Sequence, residues 1–203
     1  MKKIFCIGFN KTGTTSLQNL FSNNGLKGAP QYPFECNLNS YKFSNFSTFI
    51  KMIKEDYLHS NFYQDVPFSL PNFYKTLYSE FPNTHFILST RTTSEEWYNS
   101  LFNSHQKLFP NRINQPERIE YIYEGWLFSY LTEGLGSPKY DPYNKKSLIE
   151  SYDNHNKGVK EFFKGKNNLI EINLSNPKDF NKLEQFLDIK FTSTSFPHLN
   201  KSI

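Results

Sequence analysis

Cysteine is nearly absent from this 203-residue chain: Cys6 and Cys36 are too few for a disulfide framework and lack metal-ligand spacing. A reducing compartment is therefore expected. Runs such as Phe86-Ile87-Leu88 and Trp126-Leu127-Phe128 fall far short of the ~20 apolar residues of a membrane helix. Met1-Lys2-Lys3 leads directly into a strand-like segment, so neither signal peptide nor anchor is expected, and the expected location is cytoplasmic. The imbalance of charge is also small, with 23 Lys and Arg against 19 Asp and Glu. The net charge is +4 and the lysines are scattered rather than striped, so no nucleic-acid partner is expected.

Arginine occurs three times against 20 lysines, and alanine once, whereas there are 23 Asn, 21 Phe and 13 Tyr. This skew suggests an AT-rich coding sequence, in which Lys, Asn, Phe and Tyr are background and each Arg, Gly and Trp is informative. At this length the chain is expected to fold as one domain, residues 1–203, around a single core.

Strand and helix patterns alternate along it. Lys3 to Phe9 is a short apolar run rich in strand formers, and Gly13 to Phe21 shows helical spacing. Asn61 to Asp65 reads as a strand, Pro71 to Glu80 as a helix, and His85 to Thr90 as a buried strand. A helix is expected from Ser94 through Trp97, Leu101 and Leu108, and another from Pro116 to Leu131 with Ile119, Tyr123, Trp126 and Tyr130 on one face. Gly134 to Tyr143, with two glycines and two prolines, reads as a loop. Ser147 to Phe163 (helix), Asn168 to Asn173 (strand) and Pro177 to Leu187 (helix) complete the pattern. The expectation is an α/β fold, a three-layer sandwich with a central parallel sheet of about four to five strands and helices on both faces.

Between the first strand and helix lies Gly8-Phe9-Asn10-Lys11-Thr12-Gly13-Thr14-Thr15-Ser16. Strand, glycine loop and helix start bring backbone N–H groups and the positive end of a helix dipole to an anion. Gly13 permits close approach, the Thr14, Thr15 and Ser16 hydroxyls add donors, and Lys11 adds a point charge. The spacing from Gly8 to Gly13 fits a nucleotide-triphosphatase loop, but that pattern requires Lys after the second glycine, where Thr14 stands. The plainer alternative is an ordinary capped turn, which explains neither the lysine nor three consecutive hydroxyls. Arg91, at the end of an apolar strand on the same sheet edge, is the natural phosphate grip.

Lys11-Thr12-Gly13-Thr14-Thr15 resembles the phosphosulfate loop of the sulfotransferases that use 3′-phosphoadenosine 5′-phosphosulfate (PAPS), which gives the expected fold its P-loop type. That family follows a strand-ending Arg with a helical Ser, together holding the 3′-phosphate; Arg91 and Ser100 match. Thr92-Thr93-Ser94 replaces the usual Asp-Pro, and the Arg-to-Ser spacing of nine is one longer than usual. Trp97-Tyr98-x-Ser100, Asp65-Val66-Pro67, Tyr152 with His155, and Phe196-Pro197-His198-x-Asn200 are similar to motifs of a small single-domain branch. The resemblance implies cofactor binding by Lys11, Thr12, Gly13, Thr14, Thr15, Ser16, Arg91 and Ser100. Cytosolic relatives stack adenine on a Trp where this chain has Ser16.

Sulfuryl transfer from PAPS to a hydroxyl or amine needs a base for the acceptor proton and a cation for charge growing on the leaving phosphate. Lys11 fits the cation. Asp65 is the first choice of base, since the resemblance puts the histidine of cytosolic members there; the alternative is a turn aspartate before Pro67. Glu35, 24 residues after Lys11, is the second choice, after the glutamate of Golgi members. His155 is either an acceptor-pocket or a packing residue, and no His, Cys or acidic set has metal spacing, so no metal is expected. The acceptor, a small molecule or a carbohydrate, is expected to meet Gln31 to Asn45 and Gly134 to Tyr143. The competing classes are a nucleotide or nucleoside kinase, which predicts lysine after Gly13 and an arginine-rich lid, and an inactive nucleotide-binding module.

Overall fold

The computed structural model describes residues 2–40 and 46–197. Four strands, β1 (Ile4–Cys6), β2 (Phe62–Tyr63), β3 (His85–Thr90) and β4 (Leu169–Asn173), form one parallel sheet in the order β2-β1-β3-β4. Eight α-helices accompany them among the described residues: α1 (Thr14–Asn23), α2 (Gln31–Cys36), α3 (Ser47–Asp56), α4 (Phe73–Glu80), α5 (Ser94–Leu108), α6 (Trp126–Ser129), α7 (Lys145–Phe162) and α8 (Lys178–Leu187). Among the described residues no helix is long and apolar enough to cross a membrane.

The strand period of two sends alternate side chains to opposite faces, and both faces are apolar because both are covered. Ile4, Cys6, Ile87, Ile170 and Ile172 pack with Leu17, Leu20 and Phe21 of α1 and Phe180, Leu183 and Leu187 of α8. Phe5, Ile7, Phe86 and Leu88 face the larger core with residues of α3, α4, α5 and α7. Aromatic rings close this layer: Phe5 alone stacks or tilts against Tyr63, Phe68, Phe81 and Phe86 at 5.1–6.1 Å. The sandwich expected from the alternation is thus present, with four strands among the described residues.

The strand β3 and helix α5 have the expected bounds, and β1 is shorter than its apolar run, although the Ile7 N–H still bonds Ile87 O at 2.8 Å. The expected helix from Pro116 to Leu131 is not one helix. Pro116 opens only a three-residue turn, Glu120 pairs with Glu124, and Gly125, at φ 82°, returns its N–H to Ile119 O before α6 begins. A glycine in the left-handed region ends the helical path, while Ile119, Trp126 and Tyr130 still reach one core. After α6 the chain widens into a π-type turn over Tyr130–Gly134, so Gly134 belongs to that turn and the loop follows it. Gln31 to Asn45, expected as a loop, is helical at α2 and turns at Asn37–Ser40; residues 41–45 lie outside the described residues.

Candidate functional site

The loop between β1 and α1 is shaped by two glycines. A Cβ on Gly8 would stand 2.3 Å from Ser89 O, so only glycine lets β3 pass this closely. Gly13 combines φ 99° with Leu174 beneath it, 2.6 Å from where a Cβ would be, and as N-cap of α1 it leaves the first turn without a side-chain cap. Thr12 is buried and its Oγ1 donates to Phe9 O at 2.6 Å and meets Ser89 Oγ at 2.6 Å. Its hydroxyl therefore braces the loop, and only its backbone remains for a ligand. Thr15 is exposed and Ser16 buried.

Lys11, at φ 68°, reaches across to α5, where its Nζ donates to Ser104 Oγ at 2.7 Å. Burial lowers its pKa, opposed by the charge of Asp65 and assisted by that of Arg91. Arg91 follows β3 directly: its Nε donates to Lys11 O (2.8 Å), Nη1 to Glu96 Oε1 (3.1 Å) and Nη2 to Ser100 Oγ (3.3 Å). Arg91 and Ser100 are thus brought together despite the longer spacing. The Thr92-Thr93-Ser94 turn is a built cap. Thr93 Oγ1 accepts from Glu96 N–H at 3.0 Å, and Glu96 Oε2 accepts from Thr92 N–H at 3.2 Å.

Asp65 follows β2 at φ 58°, and its Oδ1 accepts from Thr14 Oγ1 at 3.2 Å. Burial raises its carboxyl from 3.8 to about 6, against the Thr14 hydrogen bond and the Lys11 charge. Glu35, on α2, is buried and raised to about 7, first by burial and further by the Asp65 charge, while Gln31 Nε2, donating to Oε1 at 2.7 Å, lowers it. Both candidate bases therefore share one electrostatic neighbourhood. Tyr130, whose OH donates to Asn10 Oδ1 at 2.9 Å, feels both of them, and Trp126 Nε1 holds Glu35 O at 3.1 Å.

Three motif residues turn out to hold backbone. Trp97 Nε1 donates to Asn10 O at 3.0 Å, Tyr152 OH accepts from Arg91 N–H at 2.9 Å, and His155 Nε2 donates to Ile7 O at 2.8 Å. Of the two readings of His155, packing is the one observed: it is 4% exposed, 4.5 Å from the Phe9 ring, and burial keeps it neutral down to about 4. Among the described residues no group of His, Cys, Asp and Glu gathers as metal ligands. His198 and Asn200 lie outside the described residues.

Glu96, Asn10 and Ser104 were not singled out from sequence. Glu96 had a signal, the Thr93-x-x-Glu96 capping pattern; Asn10 and Ser104 had none, because asparagine is background in this chain and Ser104 stands in no motif. A family model described as a sulfotransferase domain matches residues 3–203. No curated protein matches the chain.

Proposed function

The chain belongs to the sulfotransferase family, which makes it a sulfuryl transferase, and from that premise we propose that it acts as one domain using PAPS as donor. The observation that carries this reading is the juxtaposition of an uncapped α1 N-terminus, Lys11, and an Arg91 fork tied to both Lys11 O and Ser100. PAPS brings the activated sulfuryl group and a 3′,5′-bisphosphorylated leaving group. Residues 11–16 hold the 5′ end, with backbone N–H groups of α1 and the Lys11 ammonium countering charge on the bridging oxygen. Arg91 and Ser100 hold the 3′-phosphate. Asp65, with a pKa near neutrality, accepts the proton of an acceptor hydroxyl or amine in a small molecule or carbohydrate, and transfer proceeds in line without metal.

Thermal-shift titration with 3′,5′-ADP (PAP), ATP and AMP tests the donor. Stabilisation by PAP well beyond both others is expected. Stabilisation by ATP alone would overturn the reading in favour of a kinase-like site.

A further inference from the structure

The fork assigned to the 3′-phosphate already has an anion on it. Of the four partners of Arg91, Lys11 O, Ser100 Oγ and Tyr152 OH are neutral, and the Glu96 carboxylate, 3.1 Å from Nη1, is charged. The same carboxylate accepts from the Thr92 N–H, so it covers one donor of the turn that precedes α5. Glu96 is therefore a resident carboxylate in the electrostatic position that a phosphate would take, at a helix N-terminus that favours either. Its side chain is 40% exposed, against 26% for Arg91, so it has room to swing into solvent while Arg91 stays anchored through Nε and Nη2.

Resting on the PAPS reading, we infer that Glu96 is a specificity residue that competes with the 3′-phosphate for Arg91. It holds the fork in place when nucleotide is absent, sets back the affinity for 3′-phosphorylated nucleotides, and retakes the guanidinium as product leaves. The Thr93 cap of α5 is separate: it uses the Glu96 backbone N–H, which any residue supplies. The competition uses the charge of the side chain.

Glu96→Gln separates the two. Glutamine keeps the length and an oxygen to accept from Thr92 N–H, and removes the charge. In calorimetric titrations the variant is expected to bind PAP about fivefold more tightly or better, since a like charge no longer stands beside an incoming dianion, and to bind AMP as wild type does. The gain should shrink as salt is raised. Unchanged or weaker PAP binding by the variant, with wild type still preferring PAP to AMP, would overturn the competition and leave the donor reading standing. Equal tightening of PAP and AMP would overturn the assignment to the 3′-phosphate. Wild type that binds AMP as well as PAP would overturn both.

Discussion

Replacing Asp65 with asparagine should abolish most transfer while making the folded chain more stable at neutral pH. The stability half follows from the raised carboxyl. Burial outweighs the Thr14 hydrogen bond and the Lys11 charge, moving Asp65 from 3.8 to about 6. The folded chain then keeps a proton that the unfolded chain releases between about pH 4 and 6, so ionised Asp65 opposes folding, increasingly as pH rises through that window. At ~1.4 kcal/mol per unit the full penalty is about 3 kcal/mol, with the opposing attraction of Lys11 already included. Asparagine tolerates φ 58° as well as aspartate does and still accepts from Thr14, so neither backbone nor hydrogen bond confounds the result. Buried His155 and His105, neutral down to about 4 and about 3, make stability rise with pH toward their ordinary 6.5 in both proteins. The diagnostic is therefore the difference in unfolding free energy, variant minus wild type, which should climb from near zero below about pH 4 to a plateau above about pH 6.

The functional half is a loss of ~10²-fold or more in transfer rate with PAP affinity near wild type. Denaturant melts across pH, PAP titration and transfer rate should come from one preparation, with Glu35→Gln beside it. Near-normal turnover in the Asp65 variant, or a fall in its stability at neutral pH, would refute the argument. Loss of rate in the Glu35 variant alone would move the base to α2.

Lys11→Ala should cost ~10²-fold or more in rate, since the leaving phosphate loses its nearest cation, while the fold persists; single-turnover assays of the folded variant check this. Arg91→Ala should weaken PAP by ~2 kcal/mol or more and leave AMP little changed, as read by titration calorimetry. Trp97→Phe keeps an aromatic ring beside Tyr152 and loses the bond to Asn10 O; it should cost ~1–2 kcal/mol on denaturant unfolding.

The layers of the fold were legible because short apolar runs rich in strand formers alternate with segments of helical spacing, and β3 and α5 lie where the buried run His85 to Thr90 and the helical pattern from Ser94 put them. The Pro116 to Leu131 segment was not, because apolar spacing alone cannot report that Gly125 adopts φ 82° and turns its N–H back to Ile119. In the site, Lys11, Arg91 and Ser100 meet although the Arg-to-Ser spacing is one longer than in the family the chain resembles. The nearness of Glu35 to Asp65 was hidden, since it depends on how α2 lies against the turn after β2.

Trp97, Tyr152 and His155 show why a motif residue is not automatically a ligand residue. Each sends a polar atom to the main chain beside a charged side chain: Trp97 and His155 to residues 7–10, which lead into Lys11, and Tyr152 to Arg91. Trp97 stacks on Tyr152 at 4.7 Å and both rings lie against Phe9, so α5, α7 and the loop after β1 are locked into one aromatic block. A loop that must offer backbone N–H groups to an anion gains most when it does not rearrange on binding, because the ordering has been done in folding. Side chains that hold such a loop from behind are then as restricted in type as those that touch the ligand. Indole, phenol and imidazole suit that place because each fills a core site and still carries a hydrogen-bonding atom at its edge.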